Sequence, residues 1–145
     1  MNILELCDES PATVGPDATA AQAIQTMLDL RVGAVAVVDD QGLVAGIFTE
    51  RDVLRKLALS GKSPAQTPVR DLMTTPVEMA TIETSAGEAL EVMVDRHIRH
   101  LPITDAGGRL LGILSIRNLL QSRVDDLTHQ LDALETSLTN DAQGG

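Results

Sequence analysis

The sequence predicts an α+β fold in which two β-α-β-β-α repeats pack as a pseudo-twofold pair and a long C-terminal helix follows. Three observations predict it: an internal duplication, capping and turn signals that recur at one offset, and a leucine-rich heptad pattern near the end. We therefore divide the chain into a first repeat (3–60), a linker (61–68), a second repeat (69–122), a helical extension (123–139) and a flexible tail (140–145).

The duplication is the first of these observations. Residues 3–54 align with residues 69–120 without a gap, at an offset of 66 residues. Of these 52 pairs, 11 are identical: Leu6/Leu72, Ala20/Ala86, Ala23/Ala89, Met27/Met93, Asp29/Asp95, Asp39/Asp105, Gly42/Gly108, Gly46/Gly112, Ile47/Ile113, Arg51/Arg117 and Leu54/Leu120. A unit of about 50 residues with one small sheet leaves an apolar face uncovered, so we expect the two copies to bury it against each other.

Local signals place the same elements in each copy. Thr19 and Ser85 stand three residues before Gln22 and Glu88, the spacing of a helical capping box. Apolar residues then recur at helical spacing, and two short apolar runs follow, Ala34–Val38 and Val44–Phe48 in the first copy and Leu101–Thr104 and Leu110–Leu114 in the second. The turns between these runs end in glycine, which supplies the positive φ of a tight hairpin. A second helix is expected to begin near Glu50 and near Ile116.

Composition excludes several classes of partner. The chain carries 21 acidic against 11 basic residues, a formal net charge of -10, which argues against a nucleic acid or an anionic membrane surface. No apolar run approaches the roughly 20 residues of a membrane span. Cys7 is the single cysteine and is interpreted as a small core residue, so a reducing cytoplasm is the expected compartment.

The end of each hairpin carries the candidate chemistry. The first copy has Thr49, Arg51 and Asp52 there, and the second has Ser115, Arg117 and Asn118. One interpretation is structural, because a hydroxyl followed three residues later by Asp or Asn also caps a helix. The other is functional: a helix N-terminus with a hydroxyl and a guanidinium suits a phosphate, and a carboxylate can accept from a ribose diol.

With these motifs in place, the chain resembles a tandem pair of cystathionine-β-synthase (CBS) domains, a Bateman module, over roughly residues 3–120. The resemblance implies the same repeat fold and adenosine-containing ligands in two clefts between the copies. It assigns the phosphate to Thr49 and Ser115, and the ribose to Asp52 and Asn118. AMP, ADP or ATP would be the ligand, with S-adenosylmethionine as a further candidate and no required cofactor.

The two copies differ at positions that the resemblance makes functional. Asn118 replaces the Asp of the first copy, and Gly33-Ala34 stands where the second copy has Arg99-His100. His100 is a candidate phosphate or purine contact, and Ala34 is its counterpart at the same position of the site. We therefore expect two clefts of unequal affinity. No metal site and no catalytic constellation is evident, so an enzyme is not expected.

After the second repeat, a heptad pattern continues the last helix. Leucines and one valine alternate in steps of 4 and 3: Leu120, Val124, Leu127, Leu131, Leu134 and Leu138. The helix could lie on its own module, but we favour a contact with the same helix of a second subunit, which gives a C₂ homodimer.

Two hypotheses of function remain at this point. The favoured one is a regulatory sensor that binds an adenosine-type ligand and signals to a separate, regulated protein. The alternative is a ligand-free dimerisation or scaffold module in which the hydroxyl and Asp/Asn residues are only helix caps.

Overall fold

The computed structural model describes residues 2–8 and 10–144, with side chains described as far as Thr139. It confirms the predicted α+β fold with two repeats. The first copy contains β1 (Thr13–Val14), α1 (Ala20–Leu30), β2 (Ala34–Val38), β3 (Val44–Thr49) and α2 (Glu50–Asp52), which continues as a π-helical segment over Val53–Leu57. The second contains β4 (Ala80–Thr81), α3 (Ala86–Arg96), β5 (His100–Thr104), β6 (Leu110–Ser115) and α4 (Ile116–Gly144). Single 3-10 turns precede the two copies, at Ile3–Leu6 and Val69–Asp71.

Each copy contains one three-stranded mixed sheet. The strand orders are β1-β2-β3 and β4-β5-β6. In both, the first strand pairs in parallel with the second and the second pairs antiparallel with the third. The helix that connects the first two strands is the crossover that a parallel pair requires.

The predicted start signals are confirmed at α1 and in part at α3. Thr19 Oγ1 accepts from the amide of Gln22 at 3.1 Å, and Gln22 Oε1 accepts from the amide of Thr19 at 2.9 Å, which completes the capping box of α1. At α3, Ser85 Oγ accepts from the amide of Glu88 at 3.1 Å, but the Glu88 carboxylate accepts from the Ser85 hydroxyl and not from the Ser85 amide. In the hairpins, Gly42 has φ 81° and Gly108 has φ 88°. These glycines are required there because other residues rarely adopt a positive φ.

The two copies exchange their first segments. Val69 and Leu72, at the start of the second sequence repeat, are buried in the core around Phe48 of the first copy. Ile3, at the start of the first repeat, is buried in the core of the second copy beside Leu101 and Leu114. The sequence repeats are therefore not the packing units, a feature that the duplication alone does not reveal.

The exchange needs two glycines at equivalent positions of β3 and β6. A Cβ on Gly112 would lie 3.0 Å from Leu4 Cδ1 and 3.0 Å from Cys7 Cβ. A Cβ on Gly46 would meet the Met73 side chain and lie 3.1 Å from the carbonyl oxygen of Thr74. Glycine is thus present in both copies because the crossing segment passes directly over the strand.

The tips of the two hairpins join the copies at the pseudo-twofold axis. The amide of Val44 donates to the carbonyl of Gly108 at 3.3 Å, and the amide of Leu110 donates to the carbonyl of Gly42 at 3.1 Å. These reciprocal bonds connect one sheet to the other.

The last helix is long and leaves its apolar stripe uncovered. The backbone of α4 is helical to Gly144. The helix therefore continues past Thr139, where the helical extension was predicted to end, and into the segment predicted as a flexible tail. No Pro or Gly interrupts residues 140–143. Gly145 lies outside the described residues. The six heptad residues are 45–61% exposed. Among residues 2–8 and 10–144, no helix has both the length and the apolar character to cross a membrane.

The glycine requirement can be tested with a matched pair of variants. We expect Gly112→Ala to lower the free energy of unfolding by about 1–3 kcal/mol, because the new methyl group overpacks against Leu4 and Cys7. Gly15→Ala, at a position with nothing within 4 Å, should change it by no more than about 0.5 kcal/mol. Urea unfolding measures both. Equal midpoints for the two variants would contradict the close passage of the segment.

A second prediction concerns the reactivity of Cys7. Burial, with a smaller contribution from the charge of Asp8, raises the pKa of its thiol from 9.0 to about 11. The reactive thiolate is therefore about a hundredfold scarcer at pH 8 in the folded chain than in the unfolded one. Alkylation by iodoacetamide should be slower by that factor without urea than with it. The folded rate should also rise about tenfold per pH unit to pH 10; a plateau near pH 9 would show an ordinary thiol.

Candidate functional site

A cleft of about 890 Å³ lies between the two copies. This volume falls within the range of roughly 300–1,000 Å³ typical of small-molecule sites. Both copies and the N-terminal segment line it, through Asp8, Pro11, Ala12, Ile24, Met27, Leu28, Arg31, Val32, Gly33, Ala34, Glu50, Val53, Leu54, His100, Ile113, Ser115, Arg117 and Asn118. We call this space the open cleft.

The polar wall of the open cleft is the start of α4. Ser115 ends β6, and its Oγ accepts from the amide of Asn118 at 3.1 Å, so Ser115 caps the helix. Arg117 is exposed on the first turn. Among the described residues, no carboxylate lies within 4.0 Å of the Arg117 guanidinium. The wall thus combines a helix N-terminus, a hydroxyl and a guanidinium, the groups that favour an anion.

Asn118 is held by the N-terminal segment. Its Nδ2 donates to the carbonyl of Leu6 at 3.1 Å and to Asp8 Oδ1 at 3.4 Å. Both partners are acceptors, so the amide nitrogen must face them and the amide oxygen is left to accept from elsewhere.

Beside Ser115, His100 lies against Gly33 of the first copy. A Cβ on Gly33 would lie 3.1 Å from His100 Cε1 and 3.0 Å from Glu50 Oε1, so the absence of a side chain at Gly33 makes room for both. His100 also pairs with Ser115 in the ladder of β5 and β6. The imidazole is thereby placed between the first copy and the anion-favouring wall.

The environment of His100 favours its neutral form. Desolvation lowers the pKa of the imidazole below its ordinary value of 6.5, and Arg99 lowers it further, while Glu50 and Asp8 oppose the shift. A neutral imidazole has one donor and one acceptor nitrogen, which suits contact with a polar ring edge as well as with an anion.

An apolar surface completes the open cleft. Its lining includes Ile24, Met27 and Leu28 of α1 and, after α2, Val53 and Leu54. A flat, weakly polar ring can pack against such side chains. The lining of the open cleft therefore contains apolar groups suited to a ring system and polar groups suited to an anion.

At the equivalent position of the first copy, the chain itself supplies partners for the acidic side chain. Asp52 is 5% exposed, and its Oδ1 accepts from Thr74 Oγ1 at 2.9 Å and pairs with Lys56 Nζ at 3.1 Å. Its Oδ2 accepts from the amide of Thr49 at 3.0 Å. The carboxylate is therefore occupied by internal donors, and Thr49 with Asp52 forms the capping box of α2.

Arg51 is also engaged within the chain. Its Nη1 donates to the carbonyl of His97 at 2.9 Å. His97 ends α3 with φ 55°, a left-handed conformation in which its amide donates to the helical carbonyls of Met93 and Val94. Arg51 thus connects the start of α2 to the end of α3.

Comparison of the two positions explains why one has Asp and the other Asn. The carbonyl of Leu6 accepts from Asn118, whereas the carbonyl of Leu72, its equivalent, accepts from Lys56 at 3.1 Å. An Asp cannot donate, so the first copy needs the lysine to lie between carbonyl and carboxylate. The second copy has Ser122 at the lysine position and uses the amide instead.

The predicted site residues therefore separate into two groups. Ala34, His100, Ser115, Arg117 and Asn118 line the open cleft together. Thr49, Arg51 and Asp52 do not line it, and their predicted role in ligand binding stays a prediction. Within the described part of the chain, no three His, Cys, Asp or Glu side chains gather closely enough to hold a metal ion.

Sequence reasoning missed several residues of the open cleft, chiefly Asp8, Arg31, Gly33 and Glu50. Asp8 precedes the first strand and carries no motif. The repeat alignment pairs Asp8 with Thr74, so a charged residue in one copy corresponds to an uncharged residue in the other. This difference accompanies the Asp52/Asn118 difference, and the two together were the signal that the sequence offered. Its meaning depends on the exchange of segments, which the alignment does not show.

Comparison with known proteins agrees with this geometry. The chain is 34% identical over 121 residues to the protein MK0525 of Methanopyrus kandleri, covering 83% of this chain and 62% of that protein, so it spans less than two thirds of that relative. The solved structure of the CBS domain NE2398 matches with a TM-score of 0.78 and 30% identity, over 86% of this chain and 98% of that one. CBSX2 in complex with AMP matches with a TM-score of 0.75 over 86% and 97% of the two chains, and at 20% identity this likeness shows the fold alone.

The family model gives the assignment. The model of the CBS domain matches twice, at residues 3–59 and 69–125, and these ranges contain both sheets and both candidate positions. No catalytic family is indicated by the model or by these relatives. This chain belongs to the CBS domain family, as a tandem pair of CBS domains.

Proposed function

We propose that this chain is a regulatory module that binds one adenosine-containing ligand in the open cleft, most simply AMP, and acts on a separate protein. CBS-domain pair proteins are regulatory modules, and CBSX2 was solved in complex with AMP. The single observation that carries the proposal is the composition of the open cleft, whose lining of about 890 Å³ contains both apolar side chains and an anion-favouring helix start.

The phosphate is assigned to the start of α4. The Ser115 hydroxyl and the Arg117 guanidinium both line the open cleft there. The amides of Ile116 and Asn118 already donate to the Arg99 carbonyl and to Ser115 Oγ, so the hydroxyl proton and the guanidinium are the donors assigned to the phosphate. The helix dipole adds a partial positive charge at the same end. His100 and Ala34 line the same cleft, and His100, the ladder partner of Ser115, can contact either the phosphate or the purine edge.

The purine is assigned to the apolar side. Ile24, Met27 and Val53 can cover the two faces of the ring, and burial of such a ring contributes favourably in proportion to the apolar area removed from water. ADP, ATP and S-adenosylmethionine share this half of the ligand, so the test includes them.

The first-copy position is proposed as structural. Thr49 and Asp52 cap α2, and Asp52 is held by Lys56 and Thr74, so ligand binding there would have to displace three internal donors. One ligand per chain is the expected stoichiometry.

A matched pair of cap variants tests this assignment. We expect Ser115→Ala to weaken AMP binding roughly tenfold, because a hydrogen bond to a charged group is lost. Thr49→Ala should leave AMP binding unchanged, although each variant loses a helix cap worth about 1 kcal/mol. Calorimetric titration gives affinity and stoichiometry, and thermal unfolding gives stability.

The outcomes separate the alternatives. Because the chain has no Trp or Tyr, co-purified nucleotide would be visible directly in the near-ultraviolet spectrum. Wild type that binds none of AMP, ADP, ATP and S-adenosylmethionine would leave the ligand-free scaffold as the function. Two ligands per chain, or equal weakening by Thr49→Ala and Ser115→Ala, would restore the first-copy position as a site.

We further propose that α4 pairs with α4 of a second copy. In the heptad pattern Val124, Leu131 and Leu138 are a positions, and the remaining leucines of the stripe are d positions. The flanking e and g positions carry only Arg123 and Glu135 as charges, one of each sign, while the aspartates lie at b and c. Two copies can therefore approach along this stripe without like-charge repulsion, as a homodimer requires.

Association state tests the helix pairing. We expect wild type to sediment as a dimer and Leu127→Glu/Leu131→Glu to sediment as a monomer, because four buried charges would enter the seam. His129→Glu/Thr136→Glu, on the opposite f positions, should remain dimeric. Analytical ultracentrifugation over a range of concentrations is needed, since a seam of two to three heptads associates weakly. A monomeric wild type, or a dimeric seam variant, would contradict the proposal.

Regulation of a partner and a cytoplasmic location complete the proposed function. The chain offers the open cleft as an input and the exposed stripe of α4 as a contact surface. A ligand can shift such a module only by as much as it prefers one arrangement over another. The single cysteine, Cys7, is compatible with a reducing compartment.

A further inference from the structure

The open cleft lacks the acidic residue that the first copy has. Asn118 stands at the position of Asp52, and an amide oxygen is a weaker acceptor than a carboxylate for the two hydroxyls of a ribose. A ligand with a diol would need a second acceptor close to Asn118.

Asp8 supplies a carboxylate at that point. Its Oδ1 lies 3.4 Å from Asn118 Nδ2, and both residues line the open cleft. Asp8 is also one of the charges that act on His100. Asp8 is exposed and comes from the N-terminal segment, which reaches the second copy through the exchange of first segments.

The Asp8 contact also orients Asn118. With Nδ2 directed at Leu6 and Asp8, the amide presents its oxygen as an acceptor beside the carboxylate of Asp8. The pair then offers two neighbouring acceptors, the number that a diol with two hydroxyl donors requires.

We infer that Asp8 is the residue that determines recognition of the ribose in the open cleft, acting with Asn118 as a divided acceptor pair. The inference rests on the proposed function and adds to it a discrimination between ribose and 2′-deoxyribose. It also gives the difference between the copies a physical reason: Asp8 would repel an Asp at position 118, whereas Thr74 donates to the Asp at position 52.

Other acceptors of the open cleft are placed less well for this role. Glu50 lies against Gly33, where His100 also approaches, and no hydrogen bond connects it to Asn118 among the described residues. Ser115 uses its oxygen to cap α4 and is assigned to the phosphate. The carboxylate of Asp8 is the one that a described hydrogen bond connects to Asn118.

The experiment compares AMP with 2′-deoxy-AMP by calorimetry. Wild type should bind AMP roughly tenfold more tightly than 2′-deoxy-AMP, and Asp8→Ala should reduce this ratio to within about twofold. Glu5→Ala is the matched control, because it removes one charge from the same segment at an exposed position that does not line the cleft. It should keep the wild-type ratio. Both nucleotides carry the same phosphate, so changes in overall charge or partial loss of stability cancel in the ratio.

The possible results can be told apart. Wild type that binds neither nucleotide would remove the proposed function and this inference with it. Binding of AMP with an unchanged ratio in Asp8→Ala would overturn the inference alone and leave the proposed function in place. If the role of Asp8 were purely structural, Asp8→Ala would lower the melting temperature and leave the ratio of the AMP and 2′-deoxy-AMP affinities unchanged. That result would also count against the inference.

Asn118→Asp provides a second variant with opposite expectations. If residue 118 alone recognised the ribose, the new carboxylate would strengthen AMP binding. Since it would face Asp8 and leave the carbonyl of Leu6 without its donor, we expect AMP binding to weaken roughly tenfold instead. Stronger binding by Asn118→Asp would contradict the acceptor pair.

Discussion

The structure depends on the close passage of a crossing segment over a glycine in each copy. Where the segment passes over Gly46 or Gly112, no side chain can lie between, and the apolar residues at the start of each repeat reach the core of the other copy. Neither core is complete without the first segment of the other sequence repeat. Folding of the two copies is consequently coupled by long-range contacts, which also carry Asp8 to the edge of the open cleft.

The two candidate positions differ because three pairs of equivalent residues differ together: Asp52/Asn118, Lys56/Ser122 and Thr74/Asp8. At the first-copy position, the Asp52 carboxylate accepts from Thr74 and pairs with Lys56. At the second, the amide of Asn118 donates to the carbonyl of Leu6 and to the carboxylate of Asp8, and Asn118 lines the open cleft. Loss of Lys56 or Thr74 alone removes a partner from the buried charge of Asp52.

Much of the fold was predictable from local signals, and part of the site was not. The capping box at Thr19, the hairpin glycines and the helix starts at Glu50 and Ile116 depend on neighbouring residues, which a sequence displays directly. The hydroxyl and guanidinium of the open cleft followed from the same local pattern. The internal contacts of Asp52 depend instead on Thr74, 22 residues further along the chain, and the role proposed for Asp8 depends on a contact with residue 118. Such contacts are set by tertiary packing, which no periodicity encodes.

The length of α4 has a mechanical consequence. The helix begins at the polar wall of the open cleft and runs without interruption for 29 residues, about 43 Å at 1.5 Å per residue. A rod of that length is a lever arm: a tilt of about 5° at its first turn displaces its far end by about 4 Å. A few tenths of an ångström of adjustment around an anion at the cap would thus be amplified into a movement large enough to slide one side-chain layer against another.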